Sequence, residues 1–168
     1  MAWEGGIPFV PWMLVPYLSL GVLAACVPLL RLADDELAAF TRRMAAATIV
    51  AGVCYVLWPL ELAAVRPSAE GVLGQLYEMV KDTAPATNLC PSLHVTYAVI
   101  FGAAYRRRLR GCLRPATDAW CVLVVVSVVF VHQHHVVDVA GGLVLGVACV
   151  ILIPFRGRRL MLRMRPVR

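Results

Sequence analysis

The sequence predicts an all-α membrane protein, a polytopic bundle of about five transmembrane helices. Of its 168 residues, 61% are hydrophobic and only 15% are charged, and the mean hydropathy is +0.77. This composition supplies too little polar surface to coat a soluble globule. The apolar residues also fall into long runs separated by short arginine-rich stretches. Because no repeat or low-complexity linker divides the chain, residues 1–168 are expected to form a single integral membrane domain.

The first two spans are expected in the amino-terminal part of the chain. Residues 7–30 are a charge-free run, long enough to cross a hydrocarbon core of roughly 30 Å. Four prolines in this run predict kinks. A cleaved signal peptide is a poor interpretation, because the preceding residues include Glu4 and no basic residue. A polar connector at 31–43 and a second span at 44–65 follow.

The longest polar segment covers residues 66–91, and a short interfacial helix is expected within it at 71–80. A third span is expected at 91–105, because proline suits the first turn of a helix. About 14 residues at ~1.5 Å each reach only about 21 Å. The start of this span is therefore expected to be recessed in the bilayer.

Two further spans are predicted at 117–133 and 136–155. The last contains Gly142 and Gly146, a spacing that permits close helix packing and is common in membrane helices. Association of copies into a homo-oligomer stays open. The cysteines are scattered over spans and opposite membrane faces, so no intramolecular disulfide framework is expected.

The basic residues predict the orientation. Fifteen of the sixteen are arginine, and fourteen fall in three places, the connector at 31–43, the loop at 106–116 and the tail after residue 155. With five spans, all three lie on the same side, which the positive-inside rule assigns to the cytoplasm. The amino terminus is then outside and the carboxyl terminus cytoplasmic. Clustering between apolar runs indicates topology and contact with membrane lipids, and no nucleic-acid partner is expected.

The stretch at 127–138 holds three of the four histidines beside Asp138, with apolar sequence on both sides. If the chain is helical from His134 onward, His134 and Asp138 stand one turn apart on one face. The carboxylate can then orient and polarise the imidazole. This is the arrangement of an activated nucleophile or base.

The predicted topology brings other groups to the same extracytoplasmic face. The third and fifth spans both start there, and Arg66 leaves the second span there. Two helix amino termini and an arginine form an anion site that suits phosphate. Ser92 can bind a phosphate oxygen at a helix start, and His94 can give a proton to a leaving alkoxide. These groups suit phosphoryl transfer without a metal or other cofactor.

Two motifs carry a resemblance to a known family. The residues at 91–94, Pro-Ser-Leu-His, resemble the second signature of the type-2 phosphatidic acid phosphatase superfamily. Ser127, His134 and Asp138 have the spacing of its third signature. The amino-acid sequence at 133–141 is similar to that of the branch that includes inositol phosphorylceramide synthases. The resemblance covers roughly residues 60–150, the family-like catalytic core.

The resemblance implies a membrane lipid phosphatase or phosphotransferase acting on a phosphomonoester, pyrophosphate or phosphodiester headgroup. His134 would be the nucleophile that forms a phosphohistidine, Asp138 its orienting partner and His94 the general acid. Water or a second alcohol would then accept the phosphoryl group. Residues expected to bind the phosphate are Arg66, Ser92, Ser127 and His132.

The chain departs from the family pattern in several places. Pro59 stands where the first signature has lysine, and Val128 replaces the arginine that follows the serine of the third. His132, where the closest branch often has lysine, can partly compensate. The family usually has six spans, one more than expected here. The second hypothesis is therefore a catalytically degenerate scaffold or lipid-binding relative.

Simpler explanations compete for the individual residues. Ser127 can hydrogen-bond back along its own helix, Asp138 can form a structural pair with His135, and Arg66 can mark a membrane boundary. A third hypothesis is a histidine-based metal transporter with a zinc site formed by all four histidines. Consecutive histidines rarely converge on one metal without further ligands, so no metal site is predicted.

Overall fold

The computed structural model describes residues 4, 6–60, 71–83 and 89–155, and in these residues all regular structure is helical. This confirms the predicted helical membrane bundle. Short 3₁₀ turns at Pro11–Met13 and Val27–Leu30 flank the first helix. The helices are α1 (Leu14–Cys26), α2 (Asp34–Leu57), α3 (Gly71–Thr83), α4 (Leu93–Arg108), α5 (Leu113–Phe130) and α6 (Val136–Leu152).

Three helical stretches are long and apolar enough to cross a membrane, namely Pro11–Leu30, Asp34–Leu57 and Leu113–Phe130. The other two predicted spans are shorter helices, α4 with 16 residues and α6 with 17. At ~1.5 Å per residue they are about 24–26 Å long, less than a hydrocarbon core of roughly 30 Å. A helix, α3, is present where the short interfacial helix is predicted.

The second helix begins earlier than expected, so the prediction of a connector at 31–43 is wrong from residue 34 onward. Three acidic residues occupy the first turn of α2, where their negative charges interact favourably with the positive end of the helix dipole. Glu36 Oε2 accepts a hydrogen bond from the Ala33 N–H at 3.0 Å, which caps the start. The helix ends at Leu57, earlier than the expected end at residue 65. Pro59 follows closely, and proline disfavours helix in the residue before it. Residues 61–65 lie outside the described residues.

The central helix is α4, which packs against α1, α2, α5 and α6. The Ser92 N–H donates to Asp138 O at 3.0 Å, so the starts of α4 and α6 meet. Tyr105 Oη donates to Leu23 O at 2.8 Å, so α1 runs parallel to α4. The starts of these three helices and the end of α5 therefore share one end of the bundle, which we call the histidine end.

Small residues bring α4 and α6 into close contact. A Cβ atom built on Gly142 would lie 2.5 Å from Ser92 O, and one on Gly146 would lie 2.9 Å from Val99 Cβ. Thr96 Oγ1 lies 2.9 Å from Ser92 O and 3.0 Å from Gly142 O, and its hydroxyl donates to these carbonyls. The two glycines thus serve helix packing within the chain.

The opposite end of the bundle is held by a buried arginine. Arg43 of α2 is only 2% exposed and donates to Val150 O at 3.2 Å and Ile153 O at 3.0 Å. These carbonyls belong to the end of α6, where helical partners are missing. The ring of Phe155 lies against the guanidinium groups of Arg43 and Arg107, at 4.2 and 4.1 Å. This contact joins α2, α4 and the segment after α6.

Candidate active site

The start of α4 is fixed by its neighbours on two sides. Ser92 is fully buried, and its Oγ accepts from the Val95 N–H at 3.4 Å, the cap of α4. Its own N–H is bonded to Asp138 O of α6. From the other side, Tyr55 Oη of α2 donates to Pro91 O at 2.7 Å. Because Ser92 Oγ accepts in the cap, its hydroxyl proton can be donated to another oxygen.

The histidine turn, residues 131–135, joins α5 to α6. His132 has a left-handed backbone with φ of 52°, which reverses the chain directly after α5. The N–H groups of Gln133 and His134 donate to Val128 O at 3.1 and 3.3 Å. The backbone that carries His134 is thus fixed to the last turn of α5.

Asp138 lies in the first turn of α6 and is fully buried. Its Oδ2 accepts from the His135 N–H at 2.8 Å and lies 3.7 Å from His134 Nδ1. The second distance exceeds a hydrogen bond, although such contacts are often long before substrate binds. The alternative pair of Asp138 with His135 is also present, and it is formed by the main-chain N–H of His135 and not by its imidazole. Asp138 therefore both caps α6 and faces the ring of His134.

His94 lies in the first turn of α4, at the same end of the bundle. Its ring is stacked on the ring of Tyr17 of α1, with centroids 4.2 Å apart and an interplanar angle of 6°. His134 is near enough to interact with His94 electrostatically. The structure thus brings together the two histidines that the sequence places forty residues apart in its numbering, together with Ser92 and Asp138.

Glu4 occupies the start of α6. Its Oε2 lies 2.7 Å from His135 Nδ1, and its Oε1 accepts from the Val136 N–H at 2.9 Å. Burial alone would raise the pKa of Glu4, but its hydrogen bonds and the nearby His135 lower it from the ordinary 4.5 to about 2. A carboxylate therefore binds one of the helix starts expected to hold phosphate. Because the partners are 131 positions apart, nothing in the sequence indicates this pair.

His132 faces the amino-terminal segment. Its Nε2 lies 3.1 Å from Ile7 O, and its ring is edge-on to Phe9 with centroids 5.8 Å apart. The Val10 N–H also donates to Phe130 O at 3.0 Å. The segment before α1 thus packs along the histidine turn, a second feature that the sequence does not reveal.

The other expected phosphate ligands are less well placed or not described. Ser127 is fully buried, and its Oγ donates to Val124 O at 2.7 Å, one turn back along α5. Val128, which stands in place of the signature arginine, is also fully buried. Pro59 is exposed directly after α2. Arg66 lies outside the described residues.

Several buried polar atoms at the histidine end have no hydrogen-bond partner in the described part of the chain. They are His94 Nε2, His132 Nδ1, Gln133 Nε2, His134 Nδ1 and Asp138 Oδ1. Buried polar atoms in folded proteins are nearly always paired, because an unpaired one costs about 1–3 kcal/mol. Their concentration around the two histidines indicates a site built to bind a polar group.

Within the described residues, no group of three or more histidine, cysteine, aspartate or glutamate side chains is placed to hold a metal ion. The four histidines have different neighbours: His94 stacks on Tyr17, His132 lies beside Ile7, His134 faces Asp138 and His135 lies beside Glu4.

Comparison with known sequences identifies the family. The PAP2 superfamily matches residues 9–152, so the match extends well beyond the expected core at 60–150 and includes α1 and α2. No curated protein and no solved structure gives a significant match. The matched range contains His94, His134 and Asp138. This chain belongs to the PAP2 superfamily, the type-2 phosphatidic acid phosphatases, and is a helical membrane protein of the phosphatase and phosphotransferase type.

Proposed function

We propose that this protein releases or transfers the phosphoryl group of a membrane lipid phosphate through a phosphohistidine on His134, without a metal. The observation that carries this proposal is the set of buried polar atoms on His94, His134 and Asp138 that have no hydrogen-bond partner among the described residues. These three residues supply a nucleophile, its orienting carboxylate and a proton donor. Membership of the PAP2 superfamily supports the same reaction type.

In the first step, the lone pair of His134 Nε2 attacks phosphorus, and the bond from phosphorus to the lipid oxygen breaks. His94 gives its proton to that departing oxygen, so that an alcohol leaves instead of an alkoxide. Asp138 keeps the Nδ1 proton of His134 directed toward itself, which holds Nε2 in its unprotonated form. Closure of the 3.7 Å gap between Nδ1 and Oδ2 would strengthen this effect.

In the second step, water or another alcohol attacks the phosphohistidine, and the phosphorus–nitrogen bond breaks. His94, which has lost its proton, takes one from the attacking oxygen and is restored. The electron pair returns to His134 Nε2. Hydrolysis and transfer use the same residues and differ only in the acceptor. The similarity at 133–141 to inositol phosphorylceramide synthases supports a transferase as one form of this proposal.

The histidine end is proposed to face the extracytoplasmic side of the cell membrane, which the chain would cross several times. The arginines in the last turn of α4 lie at the opposite end of the bundle, and short basic segments favour the cytoplasm. Trp12 and Trp58 are 74% and 73% exposed at the histidine end. Tryptophan is enriched at the membrane–water interface, which supports a site at the level of lipid headgroups.

Binding of the phosphate would rely on few groups. Ser92, with a free hydroxyl proton, is the best-placed donor, whereas Ser127 already donates to Val124 O. His132 and Arg66 complete the proposed set of ligands. Val128 stands in place of the signature arginine and is buried in the helix packing. The site therefore lacks an arginine at this position to bind the phosphate. We expect weaker phosphate binding than in a family member that has the complete signatures.

The proposal is tested with purified full-length protein and a panel of lipid phosphates, each with and without acceptor alcohols. Free phosphate and new lipid product are both measured. His134→Ala is expected to abolish both products and the acid-labile ³²P label on the protein. His135→Ala is expected to retain the label, because its imidazole binds Glu4. Phosphate release by His134→Ala at the wild-type rate would refute the mechanism, whereas a folded but inactive wild type would support a scaffold or lipid-binding role.

A further inference from the structure

We propose that Tyr17 is a positioning residue for His94, holding the ring of the general acid so that Nε2 faces the leaving oxygen. This inference rests on the function proposed above. Tyr17 belongs to α1, outside both motifs at 91–94 and 127–138. It acts through His94 and is not itself proposed to touch the substrate.

The stack has the geometry of a support. The rings of Tyr17 and His94 are nearly parallel, at 6°, with 4.2 Å between centroids. This face-to-face contact restricts the tilt and the rotation of the imidazole, because turning the ring about its terminal torsion would break the stack.

His94 needs such a support because no carboxylate orients it in the described part of the chain. The terminal torsion of histidine is broad, so an imidazole without partners rotates and points its donor away from the site. His134, in contrast, has Asp138 at 3.7 Å. His94 Nε2 is buried and has no hydrogen-bond partner among the described residues, so it is available for the leaving oxygen only while the ring is held. The face of an aromatic ring also favours an imidazolium over it.

The support itself is rigid because α1 is anchored on both sides of Tyr17. Before it, the Val10 N–H is bonded to Phe130 O at 3.0 Å. After it, Leu23 O accepts from Tyr105 Oη of α4 at 2.8 Å. Tyr17 packs in addition against a buried cluster formed by Leu14, Tyr77 and Val131.

The test uses the dependence of the reaction on the leaving group. Phosphate release is measured from a lipid phosphate, whose alkoxide needs a proton, and from a nitrophenyl phosphate, whose phenolate leaves without one. General acid catalysis is worth about 10²–10⁴-fold, so a misdirected acid should cost at least about 10-fold on the first substrate. Tyr17→Leu is expected to lose kcat by that factor on the lipid phosphate and less than about 3-fold on the aryl ester.

Two matched variants separate positioning from packing. Tyr17→Phe keeps the ring and is expected to retain the wild-type ratio of the two activities. Tyr105→Phe loosens α1 from α4 away from His94 and is expected to lower thermal stability without changing that ratio. An equal loss on both substrates in Tyr17→Leu, or the same change of ratio in Tyr105→Phe, would overturn the proposal.

A measurement without turnover distinguishes this inference from the function on which it rests. A stacked tyrosine shifts the ring-proton NMR signals of His94 upfield, and this shift is expected to vanish in Tyr17→Leu and to persist in Tyr17→Phe. Its absence in the wild type would refute the stack. Failure of the proposed function would instead show as equal release of phosphate from the aryl ester by the wild type and His134→Ala.

Discussion

Replacing Gly142 by alanine should push α4 and α6 apart at the point where they carry the candidate active site. The new Cβ would lie 2.5 Å from Ser92 O and 2.9 Å from Val95 Cβ. Ordinary contacts of a Cβ atom begin at 3.4 Å, so the helices must separate by about 1 Å or deform. The contact with Ser92 O involves backbone, which cannot rotate out of the way.

Stability and activity should respond by different amounts. Overpacking costs about 1–3 kcal/mol, and alanine regains about 1 kcal/mol of helix propensity relative to glycine. Because the contact is with backbone, we expect the upper end of this range and a net loss of ~2 kcal/mol. Movement of Ser92 and His94 by about 1 Å relative to His134 should lower kcat/KM about 10²-fold. Thermal unfolding in detergent and phosphate release from a lipid phosphate measure the two effects.

Two other glycines provide the controls. Gly146→Ala meets Val99 Cβ at 2.9 Å and Thr96 O at 3.1 Å, so it should destabilise the bundle but reduce activity less, one turn farther from the site. Gly52→Ala in α2 meets nothing within 4 Å and should leave activity unchanged while stabilising the helix by up to about 1 kcal/mol. Wild-type activity and unfolding temperature in Gly142→Ala would refute the reasoning.

Three further predictions concern the anchors of the bundle and the absence of a metal from the mechanism. Arg43→Met removes two hydrogen bonds from a charged donor, including that to Ile153 O, and should lower the free energy of unfolding by about 3–5 kcal/mol. Arg42→Met removes an exposed side chain bonded to Ala38 O of its own helix and should change the free energy of unfolding by less than about 0.5 kcal/mol. Equal losses in the two variants would contradict the anchoring role. Because its pKa is lowered from 4.5 to about 2, Glu4 stabilises the fold above pH 4.5, and this contribution is lost as the pH falls toward 2. Glu4→Gln weakens the contact with His135. The difference in unfolding temperature between this variant and the wild type should therefore narrow as the pH falls from 4.5 toward 2. A constant difference would contradict the stabilising role of the Glu4 carboxylate. Phosphate release should be unaffected by EDTA, whereas its loss and recovery with added metal would favour the metal-dependent alternative.

Much of the fold followed from the sequence because hydropathy and helix signals are local. The helices α3, α4, α5 and α6 lie within a few residues of their predicted ends, and the first predicted span is present as α1 with its flanking 3₁₀ turns. Both ends of α2 differ from the prediction, and its charged first residues are not a connector. They begin a helix instead, since the negative charges of Asp34, Asp35 and Glu36 interact favourably with the positive end of the helix dipole and Glu36 supplies the cap.

The candidate site was predicted in part. The four-residue step from His134 to Asp138 predicted a shared helix face, but α6 begins at Val136 and His134 lies in the turn before it. The turn nevertheless brings His134 Nδ1 to 3.7 Å from Asp138 Oδ2, and the expected convergence of α4 and α6 follows from their parallel course. The roles of these residues stay predictions until activity is measured. The sequence could not show that the His135 imidazole binds Glu4, because Glu4 is far away along the chain. For Ser127 it left two roles open, and the structure has the bond back along the helix, from the hydroxyl to Val124 O.

The amino-acid sequence by itself determined the membrane-helix class, the order of the helices and the histidine motifs, because each depends on residues within a few turns of one another. Only the tertiary structure decided which helices meet and what each side chain contacts. Tyr17 reaches His94, Glu4 reaches the start of α6 and Arg43 reaches its end only after α1 and α2 have packed around α4. These contacts join parts of the chain that hydropathy and periodicity treat separately, since both describe a helix and not the side of the bundle that it faces.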